Sequence, residues 1–392
     1  MTLLATLAAL GWWLGIPLRA AVNDRKLQSL ADFDYDDSQH WPRISVLVPA
    51  RNEADTLEAA MQSLLRVDYP NLEIIIVDDR SSDGTSAIIE RLAVADSRIR
   101  SMRIDRLADG WLGKVHALHR GLEVCSGEWV LFTDADVHFS RCLLKRALAS
   151  CLEGSRDFLA LLPEFFATRP LLGAAQLAFA TLLLAALDRE RIAAPRNPAA
   201  MGIGAFNLAR KSFLDTREGL EWLRMEVADD AGLALLMKRR GAAIDIQSGR
   251  GLLRVDWYPS LAAMMDGVMQ RMVLGANYRL PVFSLQCLLV CLCLLAPLIL
   301  ALSLLPHSPL AWLSVTLYLL PTIILRTATR HFTPPPAAAW GMPLGFAVIG
   351  FGMLRSLLFC LRHGGIYWRG NIYPLADLRA GQRVTVSVFL RR

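Results

Sequence analysis

The chain has 392 residues, of which 54% are hydrophobic and 20% charged, and carries a formal net charge of +6. That length admits two domains, or one domain with membrane segments. Its basic residues cluster beside apolar runs, as at Arg19, Arg25, Lys26, Arg326, Arg330, Arg362 and Arg369; this fits membrane flanks and argues against nucleic acid as a partner. Seven cysteines form no paired framework, and Cys287, Cys291 and Cys293 lie in an apolar run without a nearby histidine, so they read as buried thiols.

Residues 3–18 are apolar and are followed, not preceded, by basic residues, the reverse of a secretory signal. The expectation is an uncleaved transmembrane anchor over 1–22, with the chain from residue 19 onward in the cytoplasm. Residues 41–260 then alternate polar and apolar blocks. Strands are expected at 44–48, 72–77 and 129–133, and helices at 56–65 and 87–93. Strand, polar loop and helix in repetition predict a doubly wound, mostly parallel sheet with its ligand at the carboxyl ends of the strands. Residues 170–187 are apolar and uncharged. Within an otherwise soluble pattern they read as an interfacial helix. A membrane-proximal segment, 261–281, leads into 282–361, where 282–305 and 310–325 are long enough to span a bilayer. Pro334-Pro335-Pro336 forms a stiff linker. Residues 337–361 contain Pro343, several glycines and Arg355 and read as re-entrant or interfacial. That choice leaves 362–392 as a cytoplasmic tail; a further span would put the tail outside.

Two acidic clusters fall at the expected ligand edge. Asp134 and Asp136 stand one residue apart after a predicted strand, where their carboxylates can converge on one divalent cation, Mg²⁺ or Mn²⁺, that in turn neutralises a diphosphate. Asp78 and Asp79 end another strand and can accept from a nucleobase N–H or a ribose hydroxyl, although Asp83-Gly84 also suits a plain turn.

The order of these elements carries a resemblance. Val48-Pro49-Ala50-Arg51-Asn52-Glu53, then Val77-Asp78-Asp79-Arg80-Ser81-Ser82-Asp83-Gly84-Thr85, then Gly113-Lys114, then Thr133-Asp134-Ala135-Asp136 resemble the family 2 glycosyltransferases of GT-A fold. The match runs over roughly 42–260. The resemblance implies a Rossmann-like, mostly parallel α/β catalytic domain between N- and C-terminal transmembrane helices. It implies nucleotide-sugar binding by Pro49, Arg51, Glu53, Asp79, Lys114 and Asp134, and a metal–diphosphate held by Asp134 and Asp136. Glu226-Val227-Ala228-Asp229-Asp230 is similar to the family's acidic motif, which implies Asp230 as catalytic base and Asp229 as its neighbour; helix capping is the alternative. Gly204, in Gly202-Ile203-Gly204, resembles a segment placed near the donor sugar.

Polymerising members carry Q-x-x-R-W. Here Met269-Gln270-Arg271-Met272 lacks the tryptophan, which counts against processive synthesis while leaving Arg271 available to a phosphate. The layout resembles hopanoid-associated and ceramide glucosyltransferase-like bacterial enzymes, whose acceptors are lipids. The expected activity is inverting transfer of a sugar, UDP-linked by preference, to a membrane lipid at the cytoplasmic face of the inner membrane by a multi-pass protein. A processive polysaccharide synthase and a non-catalytic nucleotide-sugar-binding subunit are the alternatives. Trp368-Arg369-Gly370 is similar to short tails in related bacterial members, and reads otherwise as an interfacial anchor.

Overall fold

The computed structural model describes residues 2–304 other than 168, 217 and 268, and beyond them 320, 323, 332, 333, 338, 341–385 and 388. The expected span at 310–325, apart from 320 and 323, and the linker Pro334-Pro335-Pro336 lie outside the described residues.

The strands are β1 (Ile44–Ala50), β2 (Leu72–Asp79), β3 (Ile99–Ile104), β4 (Trp129–Phe132), β5 (Val137–Phe139), β6 (Phe158–Leu162) and β7 (Glu164–Phe166), then β8 (Asn207–Arg210), β9 (Ile244–Ser248), β10 (Leu253–Val255), β11 (Phe332–Thr333), β12 (Gly365–Trp368) and β13 (Asn371–Pro374). Seven of them form the central sheet in the order β3-β2-β1-β4-β8-β6-β9. Every residue of β1 and β2 is buried, as a parallel sheet covered on both faces requires. All neighbouring pairs are parallel except those of β8, which runs against both β4 and β6.

The expected α/β sheet is therefore present, with two corrections. First, β2 extends through Asp78 and Asp79, so both aspartates belong to the strand and not to the loop after it. Second, four sheet strands, β3, β6, β8 and β9, went unpredicted. The edge strand β3 buries only its two ends, and β8 is four residues long; neither length nor alternation marks such segments in a sequence.

The reversal of β8 has a consequence for the site. Because β8 is antiparallel to β4, the turn that enters it lies at the edge where β4 ends. Asn207 closes that turn, donating to Ile203 O and accepting from Ile203 N–H, both at 2.9 Å. The helix Asp229–Arg239 leads into β9, which is parallel to β6, so its first turn begins at the same carboxyl edge.

The helix expected over residues 170–187 is present. The helix Pro170–Ala186 buries Ala174, Ala175, Gln176, Leu177, Ala178, Ala180, Thr181 and Leu184 and is covered by the helices Thr2–Lys26 and Met342–His363. It thus packs against both terminal helices. Gly345 permits the closest approach, since a β-carbon there would lie 2.1 Å from the Ala174 carbonyl oxygen. Trp13 donates from Nε1 to Cys293 O at 2.9 Å in the helix Leu280–Leu304, and its ring packs edge-on to Phe346 at 5.2 Å.

Among the described residues, Met342–His363 is long and apolar enough to cross a membrane. A bent pair, Leu261–Ala276 with Leu280–Leu295, qualifies as a second if counted as one broken span. Arg355, the charge inside the first of these, is paired with Asp266 at 2.7 Å. The chain touches the α/β domain on both sides of Met342–His363. Before it, Phe332–Thr333 pairs with β7. After it, Glu226 accepts the backbone N–H groups of Arg383 at 2.6 Å and Val384 at 2.8 Å. Residues 365–381 form a hairpin and a short helix, and residues 383–384 dock on Glu226.

Candidate active site

The sequence-selected acids lie at the end of β2, in the loops after β1 and β4, and in the first turn of the helix Asp229–Arg239. Asp78 and Asp79 turn to opposite tasks. Asp78 accepts from Ser81 N–H at 3.0 Å and from the Ser86 hydroxyl, shaping the loop. Asp79, fully buried, accepts from Arg80 Nε at 2.7 Å and Nη2 at 3.1 Å, with Arg51 Nη1 3.8 Å away. The helix Gly113–Leu122 presents its positive N-terminus to the same carboxylate. Only glycine fits at its first position, because a β-carbon on Gly113 would stand 2.5 Å from Asp79 Oδ2. Pro49 lies in β1 beside Val77, buried under this group.

Lys114, one residue further along that helix, joins the remaining acids. Its Nζ lies 2.8 Å from Asp134 Oδ1 and 3.1 Å from Asp229 Oδ2. Burial disfavours its charge, but Asp134, Asp229 and Asp230 outweigh burial and hold the ammonium above the ordinary lysine range. Gly204 ties the set together through its backbone. Its N–H donates to Asp230 Oδ2 at 3.1 Å, and its carbonyl accepts from Asp134 N–H at 3.1 Å. A β-carbon at Gly204 would meet Asp134 Oδ2 at 2.5 Å.

Three of the carboxyls are raised above their ordinary range. Burial, reinforced by Asp134 and Glu53, pushes Asp136 up to about 7. Burial and the charge of Asp229 push Asp230 up to about 6, with Lys114 opposing. Glu53 is raised by burial, then drawn down by a hydrogen bond from Thr56 and by the charge of Arg369. Acids raised by burial and by a neighbouring charge at one sheet edge are candidates for a functional site. Asp229 and Asp230 stand in the first turn of their helix, where Asp230 Oδ1 accepts from Ala231 N–H at 2.8 Å, so they also serve the helix start as first-turn acids.

Arg271 is placed at the rim. Its Nε donates to Gly267 O at 2.6 Å, and its guanidinium lies 4.9 Å from the centre of the Trp368 ring. Tyr258, Trp368 and Arg369 were not selected as site residues. Burial raises the Tyr258 phenol, and it feels Arg271, Asp136, Asp134 and Arg369. Trp368-Arg369-Gly370 was legible only as a tail or an anchor; the structure buries Trp368 within the protein. Glu226, read within the acidic motif, is spent on Arg383, Val384 and Ala228 backbone N–H groups.

Among the described residues no three His, Cys, Asp or Glu side chains converge on one metal position. The donor chemistry instead fits a cation shared by Asp134 and Asp136 with phosphate oxygens and water, the usual arrangement for Mg²⁺.

A mostly parallel sheet with carboxylates, a half-buried lysine and helix N-termini gathered at its carboxyl edge is an α/β domain with its candidate site where such sheets bind ligands. Residues 45–216 match the family Glycosyl transferase family 2, and the chain carries a glycosyltransferase domain of that family. It is 34% identical over 116 residues to the GalNAc(5)-diNAcBac-PP-undecaprenol beta-1,3-glucosyltransferase of Campylobacter jejuni, covering 30% of this chain and 35% of that one. It is 37% identical over 101 residues to a poly-beta-1,6-N-acetyl-D-glucosamine synthase of Staphylococcus epidermidis, covering 26% and 23%. The chain thus spans about a third or less of the length of these relatives. Among solved structures, it resembles a mannosyltransferase from Pyrobaculum calidifontis in complex with GDP-Man and Mn²⁺, with a TM-score of 0.48, 17% identity and coverage of 90% of this chain and 99% of that one.

Proposed function

We propose that this protein transfers a sugar from a nucleotide diphosphate donor to a lipid acceptor at a membrane surface, with inversion at the anomeric carbon. One observation carries the reading. Lys114, Asp134, Asp229, Asp230 and Gly204, drawn from four separate segments, form one connected cluster at the sheet edge.

Asp79, Glu53, Pro49 and Arg51 surround the place for the nucleoside, and Lys114 and Asp134 the place for the diphosphate. Bound between Asp134 and Asp136, Mg²⁺ or Mn²⁺ would supply charge neutralisation for the leaving diphosphate. Asp230 is the base. Asp229 has an oxygen engaged by Lys114, whereas Asp230 has its proton affinity raised to about 6, close to a working pH and therefore effective in proton removal. It takes the proton of the acceptor hydroxyl as that oxygen attacks the anomeric carbon. Lys114 stabilises the charge that builds on the departing phosphate. Backbone N–H groups of Gly204 and Ala231, at 3.1 and 2.8 Å, hold the Asp230 carboxylate in place.

The lipid acceptor and the membrane location rest on the outer surface. Met342–His363 exposes Leu344, Phe351, Leu354, Leu358 and Leu361 along one face, and Leu280–Leu304 exposes Val282, Leu285, Leu288, Leu289, Leu292 and Leu295. Rows of exposed apolar side chains of this extent are the mark of a lipid-facing surface. The contacts of Phe332–Thr333 and of Arg383 and Val384 with the same domain favour an in-plane or re-entrant course for Met342–His363, with the tail beside the catalytic domain in the cytoplasm. The relative from Campylobacter jejuni has an undecaprenol-linked acceptor in its name, which agrees with a lipid here.

The test is a donor screen on membranes containing the protein, with mass spectrometry of extracted lipids, for wild type and Asp230→Asn. A single-sugar glycolipid from wild type and none from the variant supports the reading. Turnover by Asp230→Asn removes it as the base, and long polymer in place of glycolipid overturns the lipid acceptor.

A further inference from the structure

The hairpin β12–β13 ends in a tight turn at Arg369 and Gly370, both with positive φ, 48° and 87°. This turn reaches back across the chain to the nucleotide edge. A β-carbon on Gly370 would lie 3.5 Å from Arg51 Nη2, so the turn rests against the arginine that borders Asp79. Two features hold it there. Trp368, immediately before the turn, is buried under the Arg271 guanidinium at 4.9 Å. At the base of the hairpin, Gly365 pairs with Pro374, and a β-carbon on Gly365 would press to 2.4 Å from the Tyr373 carbonyl oxygen. The sequence lacks a tryptophan next to Arg271; the fold supplies one from almost a hundred residues away.

The cations at this edge differ in what they already hold. Arg80 grips Asp79 with two nitrogens. Lys114 bridges Asp134 and Asp229. Arg271 donates to Gly267 O. Arg369 Nη1 is buried and has no hydrogen-bond partner among the described residues. Glu53 lies near enough to feel its charge, but Glu53 Oε2 accepts from Thr56 at 2.8 Å instead. Arg51 is meanwhile drawn below the ordinary arginine range, first by burial and then by the charges of Arg80 and Arg369. Arg51 thus has two guanidiniums beside it, Arg80 on Asp79 and Arg369 across the turn, a repulsion that an added anion would relieve. A buried guanidinium nitrogen left without an acceptor costs free energy that a ligand oxygen would recover.

We propose that Arg369 is a further substrate-binding residue: its guanidinium takes a phosphate oxygen of the bound nucleoside diphosphate where the nucleoside place beside Arg51 meets the Asp134–Asp136 edge, with Trp368 on Arg271 holding the turn in place. This rests on the donor reading above. Arginine suits the task because its planar fork matches phosphate geometry.

The experiment uses the full chain in detergent and titrates UDP and GDP with Mn²⁺, and uridine and guanosine separately, by calorimetry. Asparagine is the informative substitute, because it tolerates positive φ and removes the charge. Arg369→Asn is expected to weaken the nucleoside diphosphate on the order of 10-fold to 100-fold, the range for a charge-assisted bond, while leaving the nucleoside within twofold and the melting temperature unchanged. Arg369→Lys is expected to recover part of the loss. Equal diphosphate affinity in wild type and Arg369→Asn overturns the proposal, as does an equal loss for diphosphate and nucleoside, or a loss in both variants that follows a lowered melting temperature. Wild type that binds no nucleoside diphosphate overturns the donor reading itself, and is recognised before any variant is made.

Discussion

Lys114 and Asp229 form an ion pair at 3.1 Å that joins the first turn of one helix to the first turn of another more than a hundred residues later. The pair fixes the spacing between the proposed diphosphate site and the proposed base. Lys114→Ala should leave Asp134, Asp229 and Asp230 facing one another without compensation. Transfer should fall on the order of 100-fold to 1,000-fold, and stability by about 1–3 kcal/mol, as for a half-buried group left without its partner. Initial rates with a saturating donor, beside thermal unfolding of the same preparation, check both. A full rate with a lowered melting temperature would make Lys114 structural only.

Gly204 is the second point of sensitivity. It has no positive φ, so its requirement is space alone: a β-carbon at 2.5 Å from Asp134 Oδ2 and 3.7 Å from Lys114 Nζ. Gly204→Ala should swing the Asp134 carboxylate aside and raise the Mn²⁺ concentration needed for half-maximal rate by on the order of 10-fold, with a stability change of about 1–3 kcal/mol. Gly84→Ala, where the new atom meets only Ala54 at 3.7 Å, serves as the control and should match wild type.

Asp136 and Asp230 make the apo protein pH-sensitive. Both have folded pKa values above the ordinary carboxylate, at about 7 and about 6, so between pH 4 and 7 the folded state binds more protons than the unfolded one. Stability contributed by these groups is therefore full at about pH 4 and is lost as pH rises through 6 and 7, each group costing on the order of 1 kcal/mol for every pH step of one within that window. Melting temperature measured across this window without divalent cation should fall with pH, and Asp136→Asn should flatten the fall. An unchanged slope in that variant would contradict the assignment.

The same Asp230 value sets the rate profile. Transfer should decline below about pH 6 with a slope of one on a logarithmic plot, because the protonated carboxyl cannot accept the acceptor's proton. A rate flat to pH 5 would exclude Asp230 as the base.

Lipid should touch the exposed face of Met342–His363 and not its buried one. A photo-crosslinking residue at Phe351, which is 64% exposed, should capture phospholipid in reconstituted vesicles, whereas one at Phe346, 2% exposed, should capture only protein. Lipid adducts at Phe346 alone would reverse the assigned face.

The strands that hold Asp79 and Asp134 were readable because a buried parallel strand is a continuous apolar run, and the acid that ends it stands out by contrast. The antiparallel strand β8 was not readable, for it is four residues long and its place between β4 and β6 depends on contacts far apart in the chain. Gly204 could be picked out as a short motif, but the reason for it, a carbonyl and an N–H shared between Asp134 and Asp230, is a product of that reversed strand. Glu226 shows the opposite case: it belongs to the acidic motif in sequence, and in space it secures the C-terminal segment.

The linear chain determined the identity of the carboxylates, the lysine and the apolar segments, since these depend on residue type and local periodicity alone. Tertiary structure decided which of them meet. It carried Arg369 and Trp368 from the last tenth of the chain to the edge defined by β1 and β2, and buried the helix Pro170–Ala186 under its neighbours. Local sequence encodes propensity, whereas proximity between distant residues comes from packing that no single segment contains.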